Sequence, residues 1–293
     1  MITRSLPGLV LLLAAASAAG AQEKVDARRA AAADGVVHIE NPGGSLRVIA
    51  WDRAEVTVTG TLGRGAEGVE LSGGARRTRV EVQALGHPHS VDSNLEVHVP
   101  AGSRVEVESF SGNVAVNGVT GAVSVECVNG SISVSSGSGE ITAETVNGAV
   151  EVTAPATRVR AESVNGAVTV RGGSGEVEAS TVNGRLVVSG KGAFARAALD
   201  TVSGSVVFEG ALAPQATLGI ESVSGSVEVT LPAGVAADFK VTSFSGSIHN
   251  DLGPPAERIS QHTGEKLLEF STGGGGASVS VSTLSGSVAL RKR

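Results

Sequence analysis

The sequence predicts an all-β fold: a single-stack parallel β-solenoid (β-helix) of about 18–21 residues per rung, entered through a β-rich N-terminal lead-in. Three observations predict it. First, a motif recurs nine times: a Ser/Thr-like residue, an apolar residue, Asn or Ser, Gly, any residue, then apolar-x-apolar. Its glycines are Gly112, Gly130, Gly148, Gly166, Gly184, Gly204, Gly225, Gly246 and Gly286, spaced 18, 18, 18, 18, 20, 21, 21 and 40 residues apart. A fixed period near 20 residues marks stacked repeats. Second, apolar residues alternate with period 2 and return in the same columns, as in Val123, Ile141, Val159 and Val177, which is the pattern of short strands with one face inward. Third, the chain has six Phe, one Trp and no Tyr among 293 residues. Its core must therefore be narrow and built from small branched side chains.

The elements follow in order. Residues 1–21 read as a signal peptide: Arg4 is the positive start, Leu9 to Ala16 the apolar stretch, and Ala19-Gly20-Ala21 the small residues before a cut. No cysteine lies near that cut, and no later run is long and apolar enough for a membrane helix. Residues 22–34 are alanine-rich and read as a linker or short helix. Residues 35–104 hold strand-like runs, among them an early, degenerate rung over 41–48, and are expected to cap the open end of the stack. Residues 105–293 carry the repeats. The long interval before Gly286 reads as one degenerate rung near 267–270 with a loop insertion at about 251–276.

Within a rung, the residues after each glycine form one strand and a second follows about nine residues later. Phe110 and Phe244 are assigned to an inward apolar column. Asn-Gly at the corner suits a turn with positive φ. Stacking at roughly 4.8 Å would align Asn129, Asn147, Asn165 and Asn183 as an amide ladder, continued by Ser203, Ser224, Ser245 and Ser285.

The chemistry-bearing residues are sparse. Glu108, Glu126, Glu144, Glu162, Asp200 and Glu221 each precede the Ser/Thr/Cys of the motif, with Ser180 interrupting them. Stacked in register they form an acidic stripe, read first as a solvated edge that keeps the fold soluble and second as a surface for cations or a basic partner. His87-Pro88-His89 is the one close histidine pair, without a third metal ligand in view. No catalytic, metal or cofactor-binding residue is assigned. A single Cys127 excludes internal disulfides, and a net charge of −6 argues against nucleic acid as a partner.

The Asn/Ser-Gly-x-apolar-x-apolar rungs resemble the bacterial putative-adhesin family of β-solenoid domains. The lead-in from Gly44 to Val58, the Leu95 to Gly102 stretch and the closing Thr283 to Leu290 strengthen the resemblance. It implies an exported, non-enzymatic protein without cofactor, placed in the periplasm or at the cell surface. The expected role is an interaction or scaffold protein of the cell envelope, an adhesin, monomeric, whose partner is a protein or glycan. The alternatives are a carbohydrate-active enzyme on a β-helix and a polymerising envelope structural protein.

Overall fold

The computed structural model describes residues 23–85, 91–137, 139–258 and 264–293. The signal segment at 1–21 and the His87/His89 pair lie outside the described residues. The lead-in contains β1 (Glu23–Ala30), β2 (Val36–Gly43), β3 (Ser45–Trp51), β4 (Glu55–Leu62), β5 (Ala66–Gly74), β6 (Arg77–Ala84) and β7 (Ser93–Pro100). The regular rungs supply β8 (Arg104–Ser111), β9 (Val114–Asn117), β10 (Val123–Asn129), β11 (Ile132–Ser135), β12 (Glu140–Asn147), β13 (Val150–Thr153), β14 (Arg158–Asn165), β15 (Val168–Arg171) and β16 (Gly175–Asn183). Two long bent strands follow, β17 (Leu186–Ser203) and β18 (Val206–Ser224). The C-terminal part holds β19 (Val227–Leu231), β20 (Ala237–Ser243), β21 (Ile248–Asn250), β22 (Glu257–Arg258), β23 (Lys266–Thr272), β24 (Ala277–Ser285) and β25 (Val288–Lys292). Among the described residues, no helix is long and apolar enough to cross a membrane.

All these strands join one sheet. Its two runs of parallel strands keep the repeat in register. In the first, Val123 faces Ile141, and Ile141 faces Val159. In the second, Ile132 faces Val150, and Val150 faces Val168. The sheet is not the open parallel β-solenoid that the period predicts. It turns through 334° about an axis, and its edges come within 7.1 Å, so it is nearly closed into a barrel. The physical reason is continuity. β17 and β18 each run unbroken from one run of strands into the other, so the sheet curves round rather than splitting into separate faces. Closure leaves little unpaired edge, and an unpaired edge is what invites aggregation.

The stack does not follow chain order. β2 pairs with β6 on one side and β8 on the other, and β3 lies between β7 and β9. At the other end β24 lies between β18 and β20, and β25 between β19 and β21. The first and last rungs are therefore held inside the stack. Antiparallel strands finish the ends: β1 on β4, β4 on β7 and β5 on β6 at one, β23 on β20 and β22 on β23 at the other. Two expectations change accordingly. Residues 23–30, expected as a linker or short helix, form strand β1. Residues 267–270, expected as a degenerate rung, belong to the antiparallel closing strand β23.

The core is a column of valine, isoleucine, leucine and alanine. Where the rungs lengthen from 18 to 20 and 21 residues, the extra circumference holds Phe194 and Phe208, fully buried with ring centroids 5.3 Å apart. The glycine column also has a different cause from the turn argument. Of its nine members, Gly112, Gly148, Gly204 and Gly225 have positive φ in the range that disfavours side chains. All nine share another constraint. A Cβ at any of them would sit closer than 3.0 Å to the carbonyl oxygen of the glycine one layer away. Gly166 would meet Gly148, Gly286 would meet Gly225, and Gly246 would meet Gly286. Close stacking of backbone on backbone, more than turn conformation, requires glycine here.

A groove along the stack as candidate functional site

The site is built by side-chain parity on the strands of the first run. Successive residues of a strand point to opposite faces. In β10, Val125 and Cys127 are buried, so Glu126 and Val128 point outward on either side of Cys127. In β12 the same count buries Ala143 and Thr145 and turns Glu144 and Val146 outward. The motif's hydroxyl-bearing residue is therefore the inward one, and its apolar neighbour faces solvent. Val146, Val164, Val182, Val202, Val223, Leu284 and Phe244 are between 39% and 53% exposed. This corrects the assignment of Phe244 to an inward column. Phe110 occupies the same outward position and is partly buried.

Repeated layer on layer, this gives a groove of about 1290 Å³ running from Glu40 and Pro42 at one end to Thr242, Phe244 and Leu284 at the other. One wall is acidic and the other apolar. The floor is the buried Ser/Thr/Cys column. Several floor residues donate to the glycine carbonyl of the adjacent layer: Thr145 Oγ1 to Gly130 O at 3.1 Å, Ser163 Oγ to Gly148 O at 2.9 Å and Thr181 Oγ1 to Gly166 O at 2.9 Å. A hydroxyl bonded to backbone in this way stabilises by about 1 kcal/mol. Ser109, Thr201, Ser222 and Thr283 occupy the same column without such a partner. Cys127 belongs to the floor as well. Burial pushes its thiol up from the ordinary cysteine value, so it stays protonated and unreactive at neutral pH.

The acidic wall contains all six residues of the sequence-predicted stripe, and strand pairing places them in one register column, interrupted at Ser180. It extends further than predicted, because Glu40 of the interleaved first rung pairs with Glu108 and with Glu81 of β6. Like charges one strand spacing apart repel by up to about 1 kcal/mol per pair in water. Part of that repulsion is relieved. Arg160 reaches Glu144 at 3.2 Å, Glu162 at 2.6 Å and Glu178 at 2.8 Å. Arg79 lies 2.7 Å from Glu40 and 3.2 Å from Glu81. Glu126, Asp200 and Glu221 have no ion pair among the described residues.

The titration of the wall reflects this division. Burial alone would raise the Glu40 carboxyl, but hydrogen bonds from His38 and Arg79 outweigh it and hold the group below its ordinary value. Burial pushes Glu162 up in spite of Arg160, with Glu144 and Glu178 adding to the rise. Asp200 is raised by burial first and then by Glu221 and Glu178. His38, Glu40 and Glu108 bring ligand atoms within 4.8 Å of one another, a geometry that could gather round a cation. Arg79 already supplies Glu40 with positive charge there.

The other predicted columns lie beside the groove. Asn147 Nδ2 donates to Asn129 Oδ1 at 2.9 Å, and Asn165 to Asn147 and Asn183 to Asn165 at 3.0 Å each. This exposed ladder, with the glycines next to it, shapes the edge of the apolar wall and carries no reactive group.

Fold and groove together define a repeat-built, all-β domain with one elongated trough across its stacked strands. The chain belongs to the Toastrack DUF4097 family, whose model matches residues 89–291. This corrects the motif-level resemblance to a family of β-solenoid domains: the family is Toastrack DUF4097 and the sheet is a near-barrel. No curated protein matches the chain. Among solved structures it is similar to a "putative cell adhesion protein" from Clostridium sporogenes. The two share 9% identity over 92% of this chain and 100% of that one, with a TM-score of 0.20. At that score the likeness does not extend to shape or role.

Proposed function

We propose that this protein is an exported, non-catalytic binding module that holds an elongated partner along its groove. The observation that carries the reading is the pairing of an exposed apolar wall with an acidic wall over the length of the stack. Together the seven exposed apolar side chains present on the order of 500 Å², at the upper end for the largest patch on a monomer. Patches of this size are often functional. Export is supported by the Arg4, Leu9 to Ala16 and Ala19 to Ala21 pattern. The interaction scaffold expected on a β-solenoid is corrected at the level of architecture: the groove belongs to a nearly closed sheet.

The non-catalytic reading rests on what lines the groove. Its carboxylates, apart from Glu265 at one end, recur in one line, either tied to arginine or facing solvent, and its cysteine is buried in the floor. The test is site-specific photo-crosslinking in the native host. A photoreactive residue at Val182 should yield a discrete adduct. One at Ser133, exposed on β11 in the other run of strands, should yield none. Equal labelling from both positions, or none from Val182, refutes the groove as the binding surface.

A further inference from the structure

The groove's two walls are chemically different, and that difference constrains the occupant. The inference rests on the groove being the binding surface. We propose that it takes a basic amphipathic helix, with the helix's apolar stripe on the valine wall and its Lys/Arg stripe on the acidic wall.

The argument begins with charge. Glu126, Asp200 and Glu221 are acidic-wall residues without a cationic partner among the described residues, and the chain carries a net charge of −6. A basic partner would relieve repulsion within the wall and be steered toward it. An anionic membrane surface would meet the same wall unfavourably. A second copy of this chain fits no better. Facing grooves related by a two-fold axis set carboxylates either against carboxylates or against valines.

Spacing then selects the helix. The layers repeat at roughly 4.8 Å along the groove, and a helix advances about 5.4 Å per turn. A helix laid lengthwise therefore presents about one turn to each layer. The mismatch of roughly 0.6 Å per layer reaches half a layer after about four turns. The favoured segment is thus about 15 residues long. An extended peptide, with same-face residues about 6.8 Å apart, loses register within two layers. Val146, Val164, Val182, Val202 and Val223 then act as successive seats for one i, i+3/i+4 apolar stripe.

The test uses the full chain and a fluorescein-labelled 18-residue Leu/Lys peptide with helical amphipathic order, read by fluorescence anisotropy. A control peptide has the same composition in scrambled order. The ordered peptide should bind, and the scrambled one should bind at least tenfold more weakly. Glu126→Gln with Asp200→Asn and Glu221→Gln should weaken binding about fivefold at low salt and flatten its salt dependence. Val182→Ser with Val202→Ser should weaken it about tenfold at any salt. Glu67→Gln, exposed on β5, should change nothing. All six positions are solvent-exposed side chains or wall residues, and unchanged circular dichroism would establish that the variants fold. Equal binding of both peptides, or indifference to both groove variants, overturns the proposal. So does valine-dependent binding to anionic vesicles or valine-dependent dimerisation in sedimentation. A Val182 adduct in cells alongside failure of the peptide would remove the helix and leave the groove.

Discussion

At the scale of single residues, the fold depends on atoms that are absent. Gly166 lies where a Cβ would strike the Gly148 carbonyl oxygen, and neither backbone can move without shifting a layer. Gly166→Ala should destabilise by about 3 kcal/mol, the upper part of the range for overpacking. The matched control is Gly219→Ala, where an added Cβ meets nothing within 4 Å and the melting temperature should hardly change. Thermal denaturation of both variants checks this, and equal melting temperatures would refute the stacking constraint. Asp200 gives a second test, with the sign set by its raised carboxyl. A carboxyl whose folded value lies above its unfolded one destabilises the fold when ionised. That cost is full at neutral pH and fades as pH falls through the folded value toward the ordinary aspartate range. Asp200→Asn should therefore raise the melting temperature at pH 7 by on the order of 1 °C. The gain should vanish near pH 4. Glu40, held low by His38 and Arg79, behaves in the opposite sense: its contribution is present above the ordinary glutamate range and is lost in acid.

At the scale of elements, the columns were legible in the sequence and their partners were not. The 18-residue recurrence of Val123, Ile141, Val159 and Val177 specifies strands, alternation and in-register pairing, and the strands pair in that register. The acidic stripe was also visible as a column. Its neighbour was missed because valine in a motif suggests the core. Counting by twos from Val125 would have placed Cys127 inward and Val128 outward. The layer order was hidden for a deeper reason. Near-identical layers can stack on any other layer, so the period cannot say that β24 sits between β18 and β20. Loops and chain ends decide that. Hydrogen exchange tests the arrangement. Amides of β2 and β24 should be as protected as those of β12, while β1, β5 and β23 exchange first. A stack that frays from its chain ends would show β24 among the fastest.

At the scale of the whole molecule, near-closure of the sheet and antiparallel end strands isolate the backbone from lateral pairing. Among the described residues the long exposed apolar surface is then the groove, and its outward side chains can be changed without disturbing the core. The interleaved layers carry a further consequence, for the order in which the chain can be assembled. A chain emerging from its N-terminus makes β2 and β3 early, yet these strands need β6 to β9, which end at Asn117. The first layer must wait for strands made much later. At the far end, the slot between β18 and β20 is filled only by β24, which is made after both of them. A chain cut short before residue 277 leaves two strand edges facing an empty slot, however perfect its earlier repeats. Synthesis through β24 is thus a condition of the stack's stability, because only then are the facing edges of β18 and β20 both paired.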